Sequence, residues 1–228
     1  MNYMVLDIET VADPQQLELE KKLLKPAANI KDPAKKAANL AAKVEQVEAK
    51  GALLDSAIIS CIGIRSPEYT VNFSTFETPA KEVAGLAEAG IICKSDRTEK
   101  GMMESFNLFL ESCCSPDTVL VTANGYGFDL PKLRFRNAWH DLQLPKALTK
   151  KQPAQDIMLQ YTQYFSMSKV PFVSIGEIAQ RLGICDTGKL MAGSQFGKLV
   201  KEKRYTTAIL YNILDLILTE RIYWKICN

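Results

Sequence analysis

Apolar and polar positions follow two periods along this chain, and they separate an early strand-rich part from a late helical part. Short apolar or alternating runs predict strands over Tyr3–Ile8, Ala57–Arg65, Thr70–Phe76 and Thr118–Ala123. Apolar residues at helical spacing predict a helix over Gly101–Cys114. Three strands, a helix, a strand and then helices predict an α/β fold in which a mixed sheet is flanked by helices.

The last third of the chain is predicted to be mostly helical. A helix is expected from Leu130, and Ser174 and Glu177 have the spacing of a capping box that starts another. Gly183 stands where that second helix should end. Thr206–Ile226 is apolar on too many positions for one narrow stripe, so we expect a helix that is buried on most sides.

Residues 13–55 interrupt the alternation of strands and helices. Asp32 and Pro33 form a good helix start, the following residues are rich in Ala, Lys and Glu, and Gly51 can end the helix. At 228 residues the chain fits one domain more easily than two. We therefore predict a single domain over residues 1–228, with a helical insertion between its first two strands.

The lysines of this insertion allow two interpretations. If the insertion lines the entrance to a site, Lys35, Lys36 and Lys43 could contact a nucleic-acid backbone. A solvated helix on the edge of the domain is the interpretation that we favour.

Composition narrows the function classes. Lys and Arg number 28 against 26 Asp and Glu, a formal charge of +2 that neither indicates nor excludes a polyanionic partner. The single histidine, His140, argues against zinc sites built on histidine clusters and against Ser-His-Asp or Cys-His hydrolysis.

The six cysteines form no C-x-x-C pair, and we expect reduced thiols in a cytoplasmic protein. No apolar run reaches the roughly 18 residues of a membrane span, so no membrane association is expected.

Four carboxylates and a tyrosine carry the candidate chemistry. Asp7 and Glu9 are two apart in the first predicted strand, so their side chains share one face. Tyr211 and Asp215 are four apart in the last predicted helix and also share a face, and Asp129 follows the fourth strand. Mg²⁺ and Mn²⁺ prefer carboxylate ligands, and two ions about 4 Å apart can clamp the oxygens of a phosphodiester. The set therefore predicts a two-metal nuclease site.

Each motif alone also has an ordinary structural explanation. An Asp-x-Glu pair can be a solvated strand end, an Asn-Gly-Tyr-Gly segment is a turn by composition, and Tyr-x-x-x-Asp can lie on a helix surface. Asp215 argues against coincidence because it interrupts the apolar run from Ile213 to Leu218. A buried carboxylate without a partner is costly, so a metal or another partner is expected beside it.

Taken together, the motifs resemble those of the DEDD exonuclease superfamily in its tyrosine branch, which includes the proofreading domains of DNA polymerases. Asp7-Ile8-Glu9-Thr10 is similar to the first motif, Asn124 through Pro131 to the second, and Tyr211-x-x-x-Asp215 to the third. The chain looks most like stand-alone exonucleases related to the proofreading domain of family-B DNA polymerases. The resemblance covers residues 3–226 apart from the insertion, and it implies a ribonuclease H-like fold.

The resemblance also implies a role for each residue. Asp7 would bridge two Mg²⁺ or Mn²⁺ ions, and Glu9 and Asp215 would help hold the first. Asp129 would hold the second ion through water, and Tyr211 would orient the attacking water.

The implied activity is 3′ to 5′ removal of nucleotides from single-stranded nucleic acid, DNA in preference to RNA, alone or beside replication or repair proteins. The alternatives are an exoribonuclease and a nucleic-acid-binding or scaffold protein whose chemistry has lapsed. The presence of all four acids and the tyrosine favours an active enzyme.

Residues beside the motifs are weaker candidates. Those that could contact the substrate are Thr10, Asn124, Tyr126, Phe128 and Arg134. Asn124, Tyr126 and Phe128 could meet the terminal nucleotide by hydrogen bonding or stacking.

Charged residues near the motifs have open interpretations. Lys132, Arg134 and Arg136 could contact phosphates or could equally form an exposed helix face. Asp156 is either a helix-start residue or a structural acid near the site. The basic residues that precede the last helix are expected to be solvated; they are Lys198, Lys201, Lys203 and Arg204.

Overall fold

A mixed six-stranded sheet organises the chain. The computed structural model describes residues 2–53, 56–149, 154–164, 173–184 and 195–227. The strands are β1 (Tyr3–Val11), β2 (Ile58–Arg65), β3 (Thr70–Ser74), β4 (Ile91–Ser95), β5 (Val119–Thr122) and β6 (Ala154–Asp156). They lie in the order β4-β3-β2-β1-β5-β6. The pairs β1–β5, β5–β6 and β3–β4 are parallel, whereas β2–β3 is antiparallel.

Helices flank this sheet. Within the described residues they are α1 (Pro14–Leu23), α2 (Pro33–Lys50), α3 (Ala80–Glu88), α4 (Glu99–Cys113), α5 (Asp129–Trp139), α6 (Lys146–Thr149), α7 (Ile157–Tyr164), α8 (Ile175–Arg181), α9 (Phe196–Lys201) and α10 (Tyr205–Cys227). The predicted α/β class with a mixed sheet is thereby confirmed. It is compatible with the ribonuclease H-like arrangement, which stays a prediction.

The four predicted strands and the helices predicted around the motifs all occur, with ends shifted by a few residues. The sequence interpretation missed the strands β4 and β6 and, among the helices, α1, α3 and α6. β4 lies at the edge of the sheet and buries only Ile91, so it lacks the apolar alternation that marks a strand. β6 has three residues, too few for any period to show.

Several predicted helix ends are confirmed by their caps. The Asp32 side chain accepts hydrogen bonds from the backbone of Ala34 and Lys35 at the start of α2. Ser174 accepts one from Glu177 N at the start of α8. Gly183, just past that helix, has a φ of +72°, the left-handed conformation that glycine adopts without strain.

The side chains of β1 alternate between the two faces of the sheet, and both faces are packed. Its even residues Met4, Leu6 and Ile8 belong to the main hydrophobic core, which also contains Phe106 of α4 and Leu133 of α5. Its odd residues point the other way, as the alternation of strand side chains requires. On that second face the Tyr3 hydroxyl donates a 2.7 Å hydrogen bond to Glu220 of α10. Asp7 and Glu9 are odd-numbered and therefore face α10.

The chain divides into two compact units, one formed by Met1–Glu9 with Ile59–Asn228 and the other by Thr10–Ile58. In the second unit, an ion pair of 2.6 Å between Lys21 and Glu48 joins α1 to α2. The Lys43 ammonium donates a 2.8 Å hydrogen bond to the carbonyl of Lys25, so it is engaged inside the insertion.

Two further sequence expectations concern the chain as a whole. Within the described residues, no helix is both long enough and apolar enough to cross a membrane. Five cysteines are free thiols, and Cys61 is the buried one among them; Cys185 lies outside the described residues.

Candidate metal centre

The first two acids of the site stand on β1. The strand continues to Val11, beyond the predicted end at Ile8, so both Asp7 and Glu9 lie within regular strand. Both side chains are half-buried on the face that meets α10. The predicted common orientation of the two carboxylates is therefore confirmed.

The third acid comes from α10, a helix of 23 residues. Asp215 is 8% exposed and lies between the buried Ile213 and Leu216. Tyr211 stands one turn earlier on the same face and is 2% exposed. The interruption of an apolar run by Asp215 thus does mark a carboxylate that is buried rather than solvated.

Asp7, Glu9 and Asp215 form one cluster. One carboxylate oxygen from each lies within 4.8 Å of the corresponding oxygens of the other two. Three carboxylates at this separation repel one another unless a cation or protons balance their charge. Carboxylate oxygens are also the ligands that hard divalent cations prefer, so this cluster suits Mg²⁺ or Mn²⁺. No second cluster of this kind occurs in the described part of the chain.

Tyr211 completes the cluster from the side of α10. Its hydroxyl donates a hydrogen bond to the Asp215 carboxylate. Burial raises the pKa of Tyr211 well above its ordinary value, and the negative charges of Glu9 and Asp215 raise it further. The ring of Phe196 in α9 packs beside it, with the ring centres 6.2 Å apart. The phenol is therefore a protonated donor and cannot act as a base near neutral pH.

Asp129 lies close to β1 but outside the cluster. It is 3% exposed at the start of α5, and its Oδ1 accepts a 3.0 Å hydrogen bond from Ile8 N. Burial raises the pKa of Asp129 from 3.8 to about 7, and the charge of Asp156 raises it too, while hydrogen bonds from Ile8 and from its own backbone oppose the rise. The predicted role of Asp129 as a metal ligand stays a prediction.

The loop before Asp129 is held by Asp156. Asp156 is buried and accepts hydrogen bonds of 3.1 Å from the backbone of Asn124 and of Tyr126. It also accepts bonds from Met158 N and Leu159 N at the start of α7. Both predicted roles of Asp156 are therefore realised, since it caps a helix and is a structural acid near the site.

Three of the predicted substrate contacts lie in or after this loop. Asn124 is half-buried with a φ of +63°, and its carbonyl accepts hydrogen bonds from Gly127 N and Phe128 N in a tight turn. Phe128 packs against the main core, and the Tyr126 hydroxyl donates a 2.6 Å bond to the Ala154 carbonyl. The phenol of Tyr126 is thus already committed within the protein.

The other two predicted substrate contacts are also engaged. The Thr10 hydroxyl, in the second unit, donates a 2.5 Å hydrogen bond to the carbonyl of Ala52. The Arg134 guanidinium donates to the carbonyl of Leu148, with its Nη2 at 3.0 Å. A substrate role for either residue stays a prediction.

The exposed-face interpretation of the basic residues in α5 is wrong for two of them. Lys132 is 5% exposed and Arg136 is 4% exposed. Arg136 forms an ion pair with the buried Glu99 at the start of α4, with Nε 2.9 Å from Oε1. Glu99 also accepts a 2.7 Å bond from Ile59 N, and its Oε2 lies 2.8 Å from His140 Nε2. A charge buried so deeply needs this pairing.

The basic residues before α10 behave as expected. Lys198, Lys201, Lys203 and Arg204 are all exposed.

The sequence interpretation missed one residue of the site, Asn212. This residue is fully buried, and its Nδ2 donates a 2.7 Å hydrogen bond to Asp7 Oδ2. The available signal was an amide between Tyr211 and Ile213 inside an apolar helix. An uncharged amide costs less to bury than a carboxylate, so its presence in an apolar helix is weaker evidence for a functional site than that of Asp215.

No protein-family model and no curated protein matches the chain.

Proposed function

We propose that this chain is a divalent-metal-dependent 3′ to 5′ exonuclease that acts on single-stranded nucleic acid, DNA in preference to RNA. One observation carries the proposal: the three carboxylates of the cluster come from chain segments some two hundred positions apart and still converge within 4.8 Å. Asp129, from the middle of the chain, accepts a hydrogen bond from the backbone N–H of Ile8. Ile8 is the residue between the two acids of β1. The four acids of the three motifs therefore lie in one region of the first unit.

The residues present fit the cations that such chemistry uses. Asp7, Glu9 and Asp215 would supply carboxylate oxygens to Mg²⁺ or Mn²⁺. When bound, such ions lower the pKa of water and neutralise charge on the phosphoryl and leaving oxygens. A site of oxygen donors without histidine or thiolate ligands favours these metals over zinc.

A second ion would need Asp129. Its carboxyl group is engaged by two backbone N–H groups, one from Ile8 and one from its own residue. In its ionised form, the Asp129 carboxylate has acceptor positions beyond these two hydrogen bonds, and a cation or its bound water would use them. We therefore propose one ion at the cluster and a second ion held through Asp129.

Groups of the chain that do not bind the metal would position the reacting groups. Tyr211 would keep its proton, hold Asp215 by a hydrogen bond and help orient the attacking water. In the reaction, the water oxygen would lose a proton to solvent and form a bond to phosphorus, while the bond from phosphorus to the 3′ oxygen breaks and that oxygen takes up a proton to become a hydroxyl. The products are a nucleoside 5′-monophosphate and a strand shortened by one residue.

Strands labelled at opposite ends test the direction of digestion. A single-stranded DNA labelled at its 5′ end should give a ladder of shortening products with Mn²⁺ or Mg²⁺. The same DNA labelled at its 3′ end should release labelled mononucleotide at once. The reverse pattern would contradict the 3′ to 5′ assignment.

The same labelled strands test whether DNA is preferred to RNA and whether the protein cleaves nucleic acid or only binds it. RNA of matching sequence should be digested more slowly than DNA, and faster digestion of RNA would favour the exoribonuclease alternative. Tight binding without cleavage in either metal would favour a protein whose chemistry has lapsed. Asp215→Asn is the matched inactive control.

A further inference from the structure

We infer that Asn212 is a positioning residue that holds the Asp7 carboxylate in the orientation required for binding a divalent cation. This inference rests on the proposed function, because Asp7 is one of the three acids of the cluster. It adds to that function an uncharged residue at a position that the third motif leaves unspecified.

The first observation is a chain of hydrogen bonds that begins at Asp7. Asn212 Nδ2 lies 2.7 Å from Asp7 Oδ2, and Asn212 Oδ1 accepts a 3.0 Å bond from Asn72 Nδ2 of β3. Asn72 Nδ2 also lies 2.8 Å from Cys61 Sγ of β2. Asn72 and Asn212 are both 0% exposed. The Asp7 carboxylate is thus connected through two buried amides to the interior of the sheet.

The chemistry of the partners fixes the direction of this chain. An ionised carboxylate only accepts hydrogen bonds, so Asn212 must turn its NH₂ group toward Asp7. Its oxygen then faces Asn72, which must donate in turn. A reversed Asn212 amide would turn its oxygen toward the Asp7 carboxylate and lose that hydrogen bond.

The second observation is a space that the sheet leaves for this amide. A Cβ atom at Gly63 would lie 2.1 Å from Asn212 Oδ1 and 2.7 Å from Leu216 Cδ1. Gly63 is paired with Asn72 in the antiparallel β2–β3 ladder, so the glycine and the amide partner stand side by side on one face. Glycine at this position permits the close approach of Asn212 to the sheet.

An amide suits this position better than a charged donor. A lysine or arginine beside Asp7 would neutralise the carboxylate and compete with a cation for it. The amide donor binds Oδ2 without cancelling the negative charge of the carboxylate. Groups that orient a metal ligand in this way commonly change metal affinity by about 10–100-fold when they are removed.

Direct metal binding tests the inference without nucleic acid. Mn²⁺ titration of the metal-free protein, followed by the electron paramagnetic resonance signal of free Mn²⁺, gives the dissociation constant. Asn212→Ser should weaken binding by about 10–100-fold. Thr219→Ala is the matched control, because Thr219 is a buried polar residue two turns further along α10. Its dissociation constant should equal that of the wild type.

Gly63→Ala provides an independent disturbance of the same amide. It should weaken Mn²⁺ binding although Asn212 is present, and it should add little to Asn212→Ser because the amide that it displaces is then gone. Wild-type affinity in a folded Asn212→Ser protein would overturn the inference.

A measurement on the wild type does not depend on how any variant folds. In a ¹⁵N spectrum, Mg²⁺ should shift the side-chain NH₂ resonances of Asn212. Those of Asn137 should not move, because that buried amide donates to the Leu133 carbonyl within α5. Bound Mg²⁺ without a shift at Asn212 would also overturn the inference.

The outcomes separate the inference from the proposed function. Absence of Mn²⁺ binding by the wild type would overturn both. Weakened binding in Asn212→Ser, together with a wild type that binds metal but cleaves no nucleic acid, would leave the inference standing and overturn the exonuclease proposal.

Discussion

The carboxyl group of Asp129 accepts a 3.0 Å hydrogen bond from the backbone N–H of Ile8, the residue between the two acids of β1. The β1–β5 register pairs run from Tyr3 to Val5, so Ile8 lies beyond that pairing. Asp129 thus links the start of α5 to the part of β1 that carries the site. Burial keeps this carboxyl group protonated to a much higher pH than an exposed aspartate.

This link predicts a pH dependence of stability in the metal-free protein. The folded-state pKa of Asp129, about 7, lies above its ordinary value of 3.8. Its contribution to stability is therefore complete below the unfolded-state pKa and is lost as the pH rises through the folded-state pKa. Relative to Asp129→Asn, the wild type should lose up to about 4 kcal/mol in free energy of unfolding over this range. Urea denaturation of both proteins with chelator present measures the difference.

The asparagine variant is the right reference because it mimics the protonated acid and can still accept the bond from Ile8. A constant difference between the two proteins from acid to neutral pH would show that folding does not change the pKa of Asp129.

Asp7→Asn should reduce hydrolysis by about 10³-fold or more, because metal ions supply several kcal/mol of transition-state stabilisation. The fold should survive, and relief of repulsion in the cluster should raise the melting temperature of the metal-free protein by about 2–4 °C per kcal/mol gained. Single-turnover cleavage and thermal circular dichroism measure the two effects. Unchanged turnover in a folded variant would remove Asp7 from the chemistry.

Tyr211→Phe should be less damaging than Asp215→Ala. The phenylalanine removes one hydrogen bond to Asp215 and leaves all three carboxylates, so we expect a rate about 10–100-fold lower. Cleavage rates at saturating Mn²⁺ measure both variants. If Tyr211→Phe were as inactive as Asp215→Ala, the phenol would have a role other than orientation.

Arg136→Met should destabilise the protein by about 3–5 kcal/mol, because it leaves Glu99 buried without its charged partner. Chemical denaturation measures the loss, and Mn²⁺ affinity should remain that of the wild type. Arg134→Met is the comparison: Arg134 is half-buried and donates to a neutral carbonyl. A similar loss of stability in both variants would refute the special role of the Glu99 pair.

The residues of the cluster could be predicted from the sequence, because the periodicities of strands and helices determine which side chains share a face. Asp7 with Glu9 illustrates the first period, and Tyr211 with Asp215 the second. Asp215 could further be predicted as buried because it interrupts an apolar helix. These rules depend only on neighbours in the chain, so a single sequence is sufficient for them.

Contacts between distant segments escape the same rules. The pairing of Glu99 with Arg136 joins two helices, and neither residue has a local signal that identifies its partner. The Asp129 contact ends on a backbone N–H, which every residue except proline has. The role of Gly63 becomes visible only when Asn212 of α10 lies on the sheet.

Metal-dependent cleavage of 5′-labelled single-stranded DNA is the most direct test of the proposed function. Wild type and Asp117→Asn, a control at an exposed acid, should both produce a ladder of shortened strands with Mn²⁺. Excess chelator should abolish the ladder, and Asp7→Asn should not produce one. Intact DNA in the wild-type reaction with metal, or equal digestion by Asp7→Asn, would contradict the assignment of this site as a metal-dependent exonuclease.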